Sequence, residues 1–283
     1  MTSSQNGYAN PAALVETAWV AAHGADPGVR LIEVDVDTSA YATGHIAGAV
    51  GWDWHLDLQQ RPARDIPTQP EWEALLSRSG VRADSTVVLY GDTHNWFAAF
   101  AYWLCKLYGH ADVKLMNGGR VKWIADGRDL TTDEPSIGAT AYTVTAPNLG
   151  LRAFRDDVAA SIGDAAGLVD VRSPKEFSGE LLAPENLPQE GAQRGGHVPG
   201  AANIPWATAV AADGTFKAHA ELAALYGGQG ITADHPTITY CRIGERSAHS
   251  WFALTELLGY PNVRNYDGSW TEWGSLIGAP IER

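Results

Sequence analysis

An internal duplication constrains this chain more than any other feature of its sequence. VVLYGDTHNWFAAFAYWLCKLYGHADVKLMNGGRVKW (87–123) lies on TITYCRIGERSAHSWFALTELLGYPNVRNYDGSWTEW (237–273) at a constant offset of 150, with no gap. The coincidences fall on informative positions: Tyr90 on Tyr240, Ala98 on Ala248, Leu104 on Leu254, Gly109 on Gly259, Val113 on Val263, Gly118 on Gly268 and Trp123 on Trp273. Two copies of one folding unit therefore follow each other along the chain.

Upstream, IEVDVDTSAYATGHIAGAV (32–50) resembles LVDVRSPKEFSGE (168–180) followed, after an insertion, by GGHVPGAA (195–202). Tyr41 precedes His45 by four residues, whereas Phe177 precedes His197 by twenty. The extra LLAPENLPQEGAQRG (181–195) is rich in Pro, Gly and Gln and reads as a surface loop. Short β-branched runs alternate with helical stretches in both copies, which predicts an α/β fold, each unit a mostly parallel sheet flanked by helices. In the second copy the expected strands are Leu168–Val171, Thr237–Tyr240 and Val263–Tyr266, with a helix over Ser247–Leu258 stopped by Gly259. TTDEPSIGATAYTVTAPN (131–148) carries two prolines and no helical period. It is expected to join an N-terminal domain at 1–140, with linker to about residue 150, to a C-terminal domain at 151–283.

Charge narrows the partners. A formal charge of −13 repels polyanions, so neither nucleic acid nor an anionic membrane is expected, and an anionic substrate needs local cations. The opening MTSSQNGYANPAALVETAW lacks the basic and apolar regions of a signal peptide, and no window approaches the ~18 apolar residues of a membrane span, so a cytoplasmic location is expected. Two cysteines cannot build a disulfide framework, and the nine histidines show no zinc-ligand spacing, so no metal is expected.

The two cysteines stand in opposite settings. Cys241 leaves the end of a predicted parallel strand and enters a helix, at the edge where α/β proteins bind ligands. Free helix N–H groups, Arg242 and Arg246 are expected to favour its thiolate and lower its pKa from ~8.5 into the range ~3.5–7.5. Its counterpart in the first copy is Gly91. Cys105 lies in the almost wholly apolar WFAAFAYWLCKLY, opposite Thr255, and reads as core packing.

The tandem halves together with DVRSPKEF, GHVPGAANIPW and YCRIGERS resemble the rhodanese family in its two-domain thiosulfate sulfurtransferase form, over nearly the whole chain. The resemblance implies two tandem rhodanese-like domains, an inert N-terminal copy and an active site facing the cleft between them. Gly91 and Asp92, standing where a cysteine would be needed, agree with that. It places the nucleophile on Cys241, the substrate loop on Arg242, Ile243, Gly244, Glu245 and Arg246, and a family arginine on Arg172. It also implies thiosulfate as anionic donor, cyanide or a thiol as acceptor, and no cofactor. Vertebrate-type members carry a lysine where this chain has Ile243. Arg246 is the candidate replacement cation, and a lysine at 243 is expected to be tolerated.

Loop length separates related chemistries. Phosphatase-like relatives of the fold need Cys-x5-Arg, whereas Cys241 and Arg246 are separated by four residues. Mercaptopyruvate enzymes tend toward uncharged CG(S/A)GV(T/A) loops, so CRIGER favours the dianionic donor. Taken alone, Arg172 could pair with Glu176 one turn on. His45 and His197, repeated in both copies, suggest turn or packing work. GWDWH (51–55) and YDGSWTEW (266–273) suggest core and domain-interface surface, with Trp270 a possible cleft residue.

Overall fold

The computed structural model describes residues 6–163, 167–183 and 191–283. The first copy builds a five-stranded sheet from Leu14–Val15 (β1), Val29–Asp35 (β2), Val50–Asp53 (β3), Thr86–Tyr90 (β4) and Val113–Met116 (β5), in the order β1-β5-β4-β2-β3. The second builds a four-stranded sheet from Gly167–Asp170 (β6), Ala202–Asn203 (β7), Thr237–Tyr240 (β8) and Val263–Tyr266 (β9), in the order β7-β6-β8-β9. The pairings in both sheets are parallel. Parallel neighbours need crossover connections, which is why helices flank each sheet and why the central strands β4 and β8 are buried.

Element edges differ from expectation in two places. The strand expected at Leu168–Val171 sits one residue earlier, although Val171 still donates its N–H to Tyr240 O. The helix expected from Ser247 starts at Glu245, directly behind the left-handed Gly244. Its regular α form ends at Phe252, after which a wider π turn runs over Ala253–Leu257, with Leu258 N–H bonded to Ala253 O. Gly259, at φ +74, supplies the expected left-handed stop. Of the insertion read as a surface loop, residues 184–190 lie outside the described residues, and the flanking 181–183 and 191–195 form neither helix nor strand.

The halves share one core. A cluster that includes Phe97, Phe100 and Leu104 from the first copy continues through Cys241, Ile243, Trp251 and Phe252 of the second. The helices Trp96–Leu107 and Glu245–Phe252, which follow the duplicated loops, pack on one another here, with Tyr102 edge-on to Phe252 at 4.8 Å. Arg152 spans the halves by bonding Asp65 at 2.6 Å and Asp267 at 2.7 Å. The stretch 132–148 has no helix or strand and runs along the first copy, where Thr140 and Tyr142 donate their N–H groups to Ser77 and Val144 donates to Glu73. No helix among the described residues is long and apolar enough to cross a membrane.

Candidate active site

Register fixes which residues correspond at the two sheet edges. Glu33 lies beside Tyr90 in the first sheet as Asp170 lies beside Tyr240 in the second. Two residues further on, Asp35 therefore occupies the place of Arg172.

The duplication is strict in its scaffold. His45 stacks on Tyr41 at 3.9 Å and His197 on Phe177 at 3.5 Å, and each Nδ1 meets the carbonyl of its stacking partner, at 3.0 and 2.9 Å. Each is followed by an N–H, from Ile46 or Val198, bonded to the hydroxyl of Tyr90 or Tyr240 at 3.1 Å. The insertion before His197 leaves this geometry untouched. Each histidine ties its loop to the helix before it, and the N–H that follows ties the loop to the central strand.

The chemistry of the two edges is opposite. In the first copy, Glu33, Asp35 and Asp92 face Arg120, which bonds Glu33 at 2.7 Å. Burial, reinforced by the neighbouring Asp92 and Glu33 charges, pushes Asp35 up to about 8. A Cβ on Gly91 would lie 2.3 Å from Val34 O, so this edge has no room for a cysteine. The following loop winds left-handed through Thr93, His94 and Asn95. Crowded with carboxylates and lacking a nucleophile, it is unsuited to holding an anion.

In the second copy, Cys241 follows the last residue of β8 and is fully buried. Its N–H donates to Ser269 Oγ at 3.0 Å, and its carbonyl accepts from Trp270 N–H. Gly244, at φ +99, turns the chain so that its own N–H points at Cys241 Sγ from 3.1 Å. A Cβ there would meet Asp267 Cα at 2.7 Å, so the turn requires glycine. Glu245 opens the helix and folds back onto the loop, where its Oε2 accepts from Sγ at 3.2 Å.

Burial, together with this carboxylate, overturns the expectation of a lowered thiol pKa. Burial, and after it the Glu245 charge, push the Cys241 thiol up; Arg246 and backbone hydrogen bonds from Ser247 and Ile243 act the other way without prevailing. The resting group is a thiol. Cys105, on the helix Trp96–Leu107, is likewise fully buried and pushed up by burial, with no hydrogen-bonded loop around it.

Two of the arginines expected to face the donor, Arg172 and Arg246, are held by carboxylates. Arg172 is fully buried and bonds Asp170 through Nε at 2.9 Å and Nη2 at 2.5 Å, with Nη2 also donating to Gly196 O at 2.7 Å. Trp270 covers its guanidinium at 4.6 Å, so that tryptophan is buried packing rather than cleft lining. Glu176, which Arg172 taken alone could have paired with, instead binds Arg246 through both oxygens at 2.9 Å. Burial alone would raise the Glu176 pKa, but the Arg246 contacts hold it at about 2. Arg242 is buried in the loop, as is Ile243, which belongs to the shared core. Asp267, packed on Gly244 and held by Arg152, lines a cavity of about 480 Å³ with Asp65, Arg155 and Glu272.

Sequence reasoning missed Asp170, Asp267 and Ser269. Asp170 carried a signal, since DVR places a carboxylate two residues before the arginine along a strand, on the same face. Glu176 was masked by its other task, closing a capping box with Ser173.

Comparison with known proteins finds the same domain in both copies. The rhodanese-like domain model matches residues 16–126 and again 154–276. A Saccharopolyspora erythraea protein named "Putative thiosulfate sulfurtransferase" is 56% identical over 269 residues, covering 95% of each chain. The "Sulfur carrier protein TtuD" of Thermus thermophilus is 55% identical over 282 residues, covering 98% of this chain and 99% of its own. The crystal structure of YnjE superposes with a TM-score of 0.87 at 24% identity, over 98% of this chain and 70% of that one, a likeness of fold. With both copies matched and the cysteine loop confined to the second, the chain belongs to the rhodanese family as two rhodanese-like domains in tandem.

Proposed function

We propose that the chain is a thiosulfate sulfurtransferase that carries a sulfane sulfur from thiosulfate to cyanide or a thiol through a persulfide on Cys241. The observation that carries this reading is the Cys241 loop itself: Sγ stands at the end of a central parallel strand, receives the Gly244 N–H at 3.1 Å and has Arg242 and Arg246 in the same turn. Sγ attacks the outer sulfur of thiosulfate and sulfite leaves. Loop N–H groups then hold the persulfide anion until the acceptor removes its terminal sulfur. Arg172 and Arg246, each clamped by a carboxylate, set the field of the loop, in which Arg242 is buried beside the cysteine. Because Sγ is sealed from solvent, donor entry includes an opening of the cleft between the halves. We place the divide between the halves within 141–150 and the protein in the cytoplasm.

A second reading, a persulfide carrier, is favoured by the name of the Thermus relative. A 3-mercaptopyruvate donor would use the same cysteine. Intact-mass measurement tests the common step: thiosulfate adds ~32 Da, one sulfur, and cyanide removes it. Repeated turnover with cyanide separates enzyme from carrier, and kcat/KM for the two donors separates thiosulfate from mercaptopyruvate. A protein that gains no sulfur from either donor overturns the persulfide reading.

A further inference from the structure

We propose that Glu245 is a catalytic residue, the group that takes the proton from Cys241 when sulfur is loaded and returns it when sulfur is discharged. This rests on the persulfide reading above. Glu245 Oε2 lies 3.2 Å from Sγ and accepts its hydrogen bond, while the Gly244 N–H occupies another side of the sulfur at 3.1 Å. Both side chains are buried at rest, so a proton leaving Sγ has a carboxylate already at contact distance.

A role at the helix terminus alone does not explain this placement. An acidic first-turn residue stabilises a helix dipole equally well from the surface. Glu245 is 1% exposed, where desolvating a carboxylate costs several kcal/mol. Arg246 Nε, 3.6 Å from Glu245 Oε1, lies beside the carboxylate and also bears on the thiol. The other charged groups around the pair are Arg242 in the loop, Glu176 from the helix Pro174–Phe177, which binds Arg246, and Asp267 after β9, which is held by Arg152.

The cycle balances without an outside acid or oxidant. In loading, the Sγ proton moves to Oε2, Sγ bonds the outer sulfur of thiosulfate, and the thiosulfate S–S bond breaks with its electron pair leaving on sulfite. Thiol, carboxylate and dianion become persulfide anion, carboxylic acid and sulfite dianion, with three negative charges on each side. In discharge, cyanide bonds the outer sulfur and leaves as thiocyanate. The Sγ–S pair returns to Sγ, which takes the proton back from Glu245. Charge moves between two adjacent atoms and no proton has to cross the sealed loop.

Full-length wild type, Glu245→Gln and Glu245→Asp test this in two measurements against pH: single-turnover loading by thiosulfate, read by rapid quench and intact mass, and alkylation of Cys241 by iodoacetamide. Wild-type loading should be flat between about pH 6 and 8.5. In Glu245→Gln it should lag by about a hundredfold at low pH and climb about tenfold per unit, because only pre-formed thiolate then reacts. Alkylation, which needs the same proton removed, should show the same contrast, flat with pH in wild type and rising with pH in Glu245→Gln. Glu245→Asp, which retains a carboxylate should the amide fail to fold, should keep the flat profile at reduced rate. Parallel pH profiles for wild type and Glu245→Gln, with loading intact, overturn the Glu245 assignment alone. Absence of any adduct in wild type overturns the persulfide reading and this assignment with it.

Discussion

Arg246 closes on Glu176 in a two-pronged contact, Nη1 to Oε2 and Nη2 to Oε1 at 2.9 Å each, with both side chains buried. A cation whose charge bears on the thiol is thus fixed by a carboxylate on a different helix. Its consequences can be measured.

Glu176 contributes pH-dependent stability. Its folded pKa of about 2 lies below its ordinary 4.5, so the contribution is complete above about 4.5 and is lost as pH falls toward 2. The full effect is about 3 kcal/mol. Urea denaturation at stepped pH should show this acid loss in wild type and not in Glu176→Gln, which should already be weaker at neutral pH by about 3–5 kcal/mol for breaking a buried pair. Identical acid profiles would dismiss the pair as a stabilising element.

Replacing Arg246 should damage both half-reactions. Were Arg246 the replacement cation that meets the donor, its loss would chiefly raise KM for thiosulfate. With its terminal nitrogens on Glu176, Arg246 acts instead by favouring the Cys241 thiolate and persulfide anions. Arg246→Lys, which keeps the charge and loses the fork, should slow loading and cyanide discharge alike, by about tenfold each. A pure KM effect would restore the donor-contact reading.

Ile243→Lys reverses an expectation. Lysine at this position promised a second local cation, but Ile243 is 2% exposed within the core shared by both halves. An ammonium group there has to be desolvated or driven out, so thermal unfolding should show a loss of roughly 2–4 kcal/mol. An unchanged Tm with improved use of thiosulfate would mean that the side chain reaches the cleft.

Gly244→Ala tests the loop turn. The residue sits at φ +99 and its Cβ would press on Asp267 Cα, so a cost of about 1–3 kcal/mol is expected. Displacement of the N–H from Sγ should also slow loading by about tenfold to a hundredfold, as loss of an anion-stabilising donor does. Wild-type kinetics in this variant would show that the Gly244 N–H is dispensable.

The two cysteines should separate cleanly. Cys241→Ser should take up no sulfur, whereas Cys105→Ser should load normally while losing about 1–3 kcal/mol for a buried hydroxyl. Intact mass and denaturation on the same samples read both. Equal loss of loading, with both variants folded, would remove the reason for distinguishing them.

The sequence by itself determined the duplication, the parallel α/β order of each half, the left-handed stop at Gly259 and the different settings of Cys241 and Cys105. These are properties of short stretches, written in period, β-branching and turn residues that each segment carries along its own backbone. Tertiary structure alone decided the charge logic of the site. Glu176 and Arg246 are 70 residues apart in the chain and meet only because β6 and β8 lie side by side. Nothing in CRIGER foretells that its last arginine is taken, that Ile243 joins the shared core or that Glu245 folds back on Sγ. The sign of the thiol shift depends on burial in the core that both copies share and on one carboxylate four residues along, which the folded turn at Gly244 brings to 3.2 Å; neither is legible until the loop is packed.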